Sequence, residues 1–146
     1  MIIVRGCAFP AHLLYDVKNH VWYERLEDGS FRVGMTSVAV ALAGDILAFT
    51  PRRVGRPVEA GRACATIESG KWVGPARIVF DGTVLAINEA MIERPFYANE
   101  DCYTKGWMLV ARPDSPDQLA ELISGNELAA AYEAWMEAEG FAGCGS

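Results

Sequence analysis

The sequence predicts a single mainly β domain, a small barrel or sandwich, with short helices near the front and middle and a helical extension at the end. Three observations carry this. From Asp45 onward the turn formers Pro51, Gly55, Pro57, Gly61, Gly70, Gly74, Pro75 and Gly82 punctuate runs rich in Ile, Val, Phe and Thr, the pattern of short strands. Beyond residue 113 the apolar spacing changes to that of a helix. The length of 146 residues, with 51% hydrophobic and 22% charged residues, suits one domain (1–146) with a real core.

The elements follow in order. Met1-Ile2-Ile3-Val4 ends at Arg5, too short for the apolar stretch of a secretory signal, and the richest later run, 38–49, is interrupted by Asp45. A soluble, cytoplasmic chain is therefore expected. Val4-Arg5-Gly6-Cys7 has the outline of a lipoprotein cleavage box, but no apolar segment precedes it. Residues 12–15 offer little more than one helical turn. Residues 21–26 and 31–35 are β-prone runs around Glu27-Asp28-Gly29-Ser30, a hairpin signal. Thr36 can cap a helix over 37–43 that stops at Gly44, apolar all round and hence expected to be largely buried. The halves on either side of Lys71 look loosely alike, a weak sign of an internal two-fold.

The C-terminal helices are expected over about 114–139. Asp114 opens the first, to about Ser124, and Asn126 caps the second, which runs through Glu139 and stops at Gly140. Leu128, Ala131, Tyr132, Trp135 and Met136 form one apolar stripe on that second helix, expected to pack against the β body.

Charge and cysteine usage exclude several functions. A formal charge of −6 leaves no basic stripe to neutralise phosphates, so neither nucleic acid nor anionic membrane is a partner. Cys7, Cys64, Cys102 and Cys144 lie far apart, with no neighbouring His to complete a zinc set. No metal site is expected. Cys64 sits in an apolar run and reads as an inert core thiol. Cys7 and Cys144 read as unpaired surface thiols near the two ends, their pairing left open. His20 reads as an interior hydrogen-bonding partner near Trp22 rather than a base, and His12 carries no clear signal.

The candidate site is Glu68-Ser69-Gly70-Lys71-Trp72, a lysine on a turn between two β-rich stretches. A modified lysine needs a solvent-exposed amine on a rigid turn. Gly70 can take a positive φ without steric cost and aim the next side chain outward. Glu68 puts a carboxylate beside the amine, where a modifying ligase could read it. Such a lysine is mostly protonated, its ordinary pKa being about 10.4, so acylation needs a base supplied by the ligase. Trp72 either stacks on what is attached to Lys71 or packs on its own strands.

From about Tyr15 to Ala111 the chain resembles the lipoyl-carrying H protein of the glycine cleavage system. His20-Val21-Trp22 is similar to the family's His-x-Trp, Val33-Gly34-Met35-Thr36 to its Val-Gly-Ile-Thr, and Leu42-Ala43-Gly44-Asp45 to its Leu-Gly-Asp element. Glu68-Ser69-Gly70-Lys71 falls on the Glu-Ser-x-Lys that bears lipoate, and the eleven-residue step from Lys71 to Gly82 is kept. Pro95, Asn99, Tyr103 and Gly106-Trp107 match the family's ending. The resemblance implies a barrel-sandwich hybrid with Lys71 at a hairpin tip. Gly70, Trp72 and Gly74-Pro75 depart from the usual pattern, as does Val79 where a proline is expected and Cys102 in place of another. These departures, with the Cys7 and Cys144 segments, resemble the lipoate-binding paralogues of heterodisulfide-reductase-like bacterial sulfur oxidation.

The resemblance therefore implies a carrier and not an enzyme. Lipoate in amide linkage to Lys71, with Glu68, Ser69, Gly70 and Trp72 around it, would shuttle sulfur intermediates or electrons. The implied partners are a heterodisulfide-reductase-like complex, a lipoate ligase or lipoyl-assembly enzymes, and dihydrolipoamide dehydrogenase, with the chain itself a monomer. The alternatives are a glycine cleavage carrier of an aminomethyl group, an unmodified lipoyl-like interaction module, and a thiol enzyme using Cys7 or Cys144.

Overall fold

The computed structural model describes residues 1–145 and begins with a hairpin that has no clear signal in the sequence: β1 (Ile2–Val4) against β2 (Cys7–Phe9). Its turn uses positive φ at both Arg5 (47°) and Gly6 (81°), the pairing that matches strand twist in a two-residue hairpin. Residues 14–16 form a third strand, β3 (Leu14–Asp16), where a helical turn was expected. The alternation of buried Leu13 and Tyr15 with half-buried Leu14 and Asp16 is a period of two, and strand pairing to β4 (Val21–Arg25) satisfies it.

The predicted central hairpin is present as β4 and β5 (Phe31–Met35). Trp22 stands directly opposite Gly34 across it. A Cβ at Gly34 would lie 2.4 Å from the Trp22 ring, so glycine here makes room for a fully buried indole whose Nε1–H donates to the Cys102 carbonyl at 3.0 Å. The two motifs around Trp22 and Gly34 are thus halves of one packing contact.

Helix α1 (Ser37–Ala43) is capped as predicted, the Thr36 hydroxyl accepting from the Ala39 N–H, and ends at Gly44 with φ 82°. It is less buried than its composition suggests: Val38 and Ala43 are buried, while Ala41 and Leu42 are exposed, Leu42 lining a groove. Then follow β6 (Ile46–Pro51), β7 (Pro57–Val58), β8 (Ala63–Ser69), β9 (Val73–Arg77) and β10 (Gly82–Ile87). Two short helices, α2 (Glu89–Glu93) and α3 (Tyr97–Glu100), lead into β11 (Trp107–Pro113).

The strands form a six-stranded antiparallel sheet in the order β3-β4-β5-β11-β10-β7 and a three-stranded antiparallel sheet, β6-β8-β9. A core of Tyr23, Phe31, Val33, Ile67, Ile78, Phe80 and Leu109, among others, fills the space between them. A second core, including Phe9, Tyr15, Trp22, Leu128, Tyr132 and Met136, lies between the N-terminal hairpin and the C-terminal helix.

At the end, Pro116–Glu121 is a 3-10 helix rather than the longer helix expected over 114–124, with the Ser115 hydroxyl accepting from Asp117 N–H. Helix α4 (Gly125–Glu139) begins one residue before the expected cap, with Ser124 in the cap position, and stops at Gly140 in the left-handed conformation. Leu128, Tyr132 and Met136 are buried and Ala131 and Trp135 half-buried, so the stripe packs on the β body as predicted.

Cys7 and Cys144 are bonded to each other, a correction to their reading as surface thiols. Cys7 is fully buried, because α4 brings the tail back over the first hairpin. Cys64 and Cys102 are buried free thiols. Burial pushes both up to about 12, so both are inert at neutral pH, as expected for Cys64.

Candidate functional site

Lys71 lies at the tip of the β8–β9 hairpin, in the three-residue connection Gly70-Lys71-Trp72, and is exposed. Strand pairing delivers it there: Glu68 opposes Val73, and the Ser69 N–H donates to the Trp72 carbonyl at 2.8 Å. Ser69, buried at the neck, also orders the tip through its hydroxyl, which donates to the Trp72 carbonyl and accepts from the Lys71 N–H, each at 3.3 Å. Gly70 does not adopt the positive φ expected of it. Side-chain hydrogen bonding by Ser69, rather than backbone freedom at Gly70, sets the turn. Glu68 is exposed on the strand leading to the tip.

The lysine stem lies across Gly44. A Cβ placed at Gly44 would come within 3.2 Å of Lys71 Cε and 3.8 Å of its Nζ. This surface is held by Asn99, whose amide donates to the Gly44 carbonyl at 3.0 Å and whose oxygen accepts from the Ile46 N–H at 2.8 Å. In the sequence Asn99 stands out only as a motif match. The signal for its role is the Gly44-Asp45 turn, which leaves two backbone groups needing partners.

Beside the tip runs an apolar groove of about 370 Å³, lined by Met35, Ala39, Leu42 and Ala43 on one side and Ile67, Trp72, Pro75 and Ala76 on the other. Trp72 is 41% exposed, and its ring lies over Gly74, where a Cβ would fall 2.2 Å from Cζ2. The indole packs on its own strand and in doing so forms one wall of the groove.

Asn19, His20 and Val21 form the rest of the lining. His20 is buried, 9% exposed, in a left-handed backbone conformation (φ 58°) rare for a non-glycine residue. Its backbone carbonyl accepts from the Thr36 N–H at 3.0 Å, and its Nδ1 is 3.0 Å from the Tyr132 hydroxyl on α4. The Trp135 ring meets it edge-on at 4.4 Å. His20 is therefore an interior hydrogen-bonding group as expected, with Tyr132 as its partner.

Burial lowers the His20 pKa to about 4, with Asp16 opposing weakly. The folded chain keeps His20 neutral where the unfolded chain protonates it, so this group stabilises the fold above its ordinary 6.5 and ceases to as pH falls from there through about 4. The expected loss across that window is on the order of 3 kcal/mol. His20→Asn, which tolerates the left-handed backbone, should flatten that part of the profile in urea unfolding measured between pH 7 and pH 4. An unchanged slope would show that other groups dominate acid sensitivity.

An exposed lysine beside an apolar groove fits a long acyl group in amide linkage. Among the described residues no group of His, Cys, Asp and Glu can hold a metal ion, and no helix is long and apolar enough to cross a membrane.

The profile of the glycine cleavage H-protein family matches residues 13–135. A glycine cleavage system H protein 5 of Aquifex aeolicus is 39% identical over 144 residues, covering 96% of this chain and 97% of the relative. The glycine cleavage system H protein of Klebsiella pneumoniae is 37% identical over 130 residues, covering 89% and 97%. The crystal structure of a glycine cleavage system H protein from Mycobacterium marinum superposes with a TM-score of 0.75 at 30% identity, covering 86% of this chain and 99% of that one. These relatives are named for glycine cleavage, and none of them for sulfur oxidation. Glycine cleavage H proteins carry a covalently attached lipoate on a lysine and serve a multi-enzyme system as carriers, with no catalysis of their own. With its profile match, its relatives and its mainly β fold in agreement, this chain belongs to the glycine cleavage H-protein family.

Proposed function

We propose that the chain is a cytoplasmic lipoyl carrier with Lys71 as its attachment point. One observation carries this: the only residue of the Glu68-Ser69-Gly70-Lys71 motif with a side-chain amine for a carboxylic acid to acylate stands exposed at a hairpin tip, beside an apolar groove. Bound lipoate would supply a redox-active disulfide on a long neutral stem. The protein's own residues do the positioning. Ser69 orders the tip, Gly44 and Asn99 provide the surface under the lysine stem, and Trp72 walls the groove. Glu68, exposed on the adjoining strand, is the group a lipoate ligase would read, and the space around Gly70 is open, a Cβ there meeting nothing within 4 Å.

For the cargo, the names of the relatives favour glycine cleavage, in which the arm receives an amine-bearing one-carbon unit and dihydrolipoamide dehydrogenase restores the disulfide. One observation favours the second reading, sulfur or electron transfer with a heterodisulfide-reductase-like complex. Among the described residues no carboxylate lines the groove, so a protonated amine drawn into it would lack a counter-charge.

Peptide mapping of chain isolated from its host, followed by loading assays, tests both levels. Lipoate on Lys71 is expected, and an unmodified Lys71 in cells using the pathway would sink the carrier reading. A mass gain dependent on glycine and glycine decarboxylase selects glycine cleavage. A gain with sulfane sulfur and none with glycine selects the second reading.

A further inference from the structure

The bond between Cys7 and Cys144 joins residues 137 apart, and the backbone around it is shaped to let it close. The Cys144 N–H donates to the Arg5 carbonyl at 3.1 Å. On one side Gly6 faces the Cys144 carbonyl, where a Cβ would come within 2.7 Å; on the other Gly143 faces the Arg5 carbonyl, where a Cβ would come within 2.2 Å. Both glycines have positive φ, so only glycine at each position admits this approach. The Arg5 guanidinium reinforces it with bonds to Glu133 and Glu137 on α4 and to the Phe141 carbonyl.

The pinned tail leads to the groove through packed rings. Phe141 packs on Trp135 with centroids 5.6 Å apart, Trp135 meets His20 at 4.4 Å, and Tyr132, stacked on Phe9 at 4.5 Å, bonds the His20 ring. His20 is part of the groove wall. The two sulfurs differ in access: Cys7 is fully buried while Cys144 is half-buried near the surface.

We propose that the Cys7–Cys144 disulfide is a thiol-exchangeable clasp: closed, it fixes the tail and, through Phe141, Trp135 and Tyr132, the His20 wall of the groove; opened by a dithiol, it frees both. A thiolate of the dithiol attacks Cys144 Sγ, the bond between the two cysteines breaks, and Cys7 leaves as a thiolate that takes up a proton. The dithiol's second sulfur then displaces Cys144. Two electrons have passed, the dithiol has become a disulfide, and both cysteines are thiols. The inference goes beyond the carrier reading and holds whether or not Lys71 is modified.

The test uses the full chain with unmodified Lys71 in mixtures of reduced and oxidised dithiothreitol, without denaturant. Reduction should add two alkylations by N-ethylmaleimide, at Cys7 and Cys144, while buried Cys64 and Cys102 stay silent. In the reduced chain the amides of α4 should lose protection from hydrogen exchange, and the His20 ring, followed by NMR, should titrate above its clasped value of about 4, toward 6.5. Reoxidation should restore both. A disulfide that stays closed in excess dithiothreitol would overturn the proposal, as would one that opens while α4 and His20 remain as they were.

Discussion

Replacing Lys71 with arginine should abolish covalent loading of the chain altogether, with no detectable lipoyl mass on the intact protein. Arginine keeps the positive charge and a long stem but stays protonated at any physiological pH, so it has no free lone pair to form the amide. The side chain is exposed at a hairpin tip whose order comes from Ser69, and its own backbone N–H, retained in arginine, donates to the Ser69 hydroxyl. Stability should therefore move by no more than about 0.5 kcal/mol. Intact mass after co-expression with a lipoate ligase, together with a thermal melt, checks both statements. A lipoylated Lys71→Arg chain would place the attachment point on another lysine, and the reading of the tip as the site would be wrong.

The second large effect is on stability. Cys144→Ser should lower the free energy of unfolding by up to about 5 kcal/mol, because opening the bond between Cys7 and Cys144 releases a loop spanning almost the whole chain in the unfolded state. Residual structure in the unfolded chain reduces the effect. Even half of it is a large share of the 5–15 kcal/mol typical of a domain. Urea midpoints of oxidised wild type, reduced wild type and Cys144→Ser provide the comparison. The last two should coincide well below the first. A variant as stable as oxidised wild type would mean that the α4 packing and the Arg5 contacts, not the bond, hold the two ends together.

Legibility in the sequence followed how local each feature is. The hairpin around Asp28-Gly29, the Thr36 cap and the Gly140 stop are decided by residues within one turn of each other, and all three are found as read. The Lys71 tip is local in the same way, although which neighbour orders it was not legible. Gly70 looked like the pivot, whereas the Ser69 hydroxyl supplies the hydrogen bonds. Three-residue strands such as β1 and β3 are too short to show a period, so the first hairpin had no signal and 12–15 read as a helical turn. The all-apolar run of α1 suggested burial, yet whether its outer face meets protein or a groove depends on what packs beside it.

What the sequence alone determined is the mainly β class, the order of most elements and the position of Lys71, because period, turn residues and motif spacing act over short stretches of chain. What only the tertiary structure decided are three long-range meetings. Trp22 and Gly34 prove to be one contact, the groove is assembled from strands and a helix scattered between Asn19 and Ala76, and Cys7 meets Cys144. The physical reason is common to all three. Each depends on where distant segments pack when two sheets and α4 bury their apolar faces together, and no residue's own sequence neighbourhood specifies that.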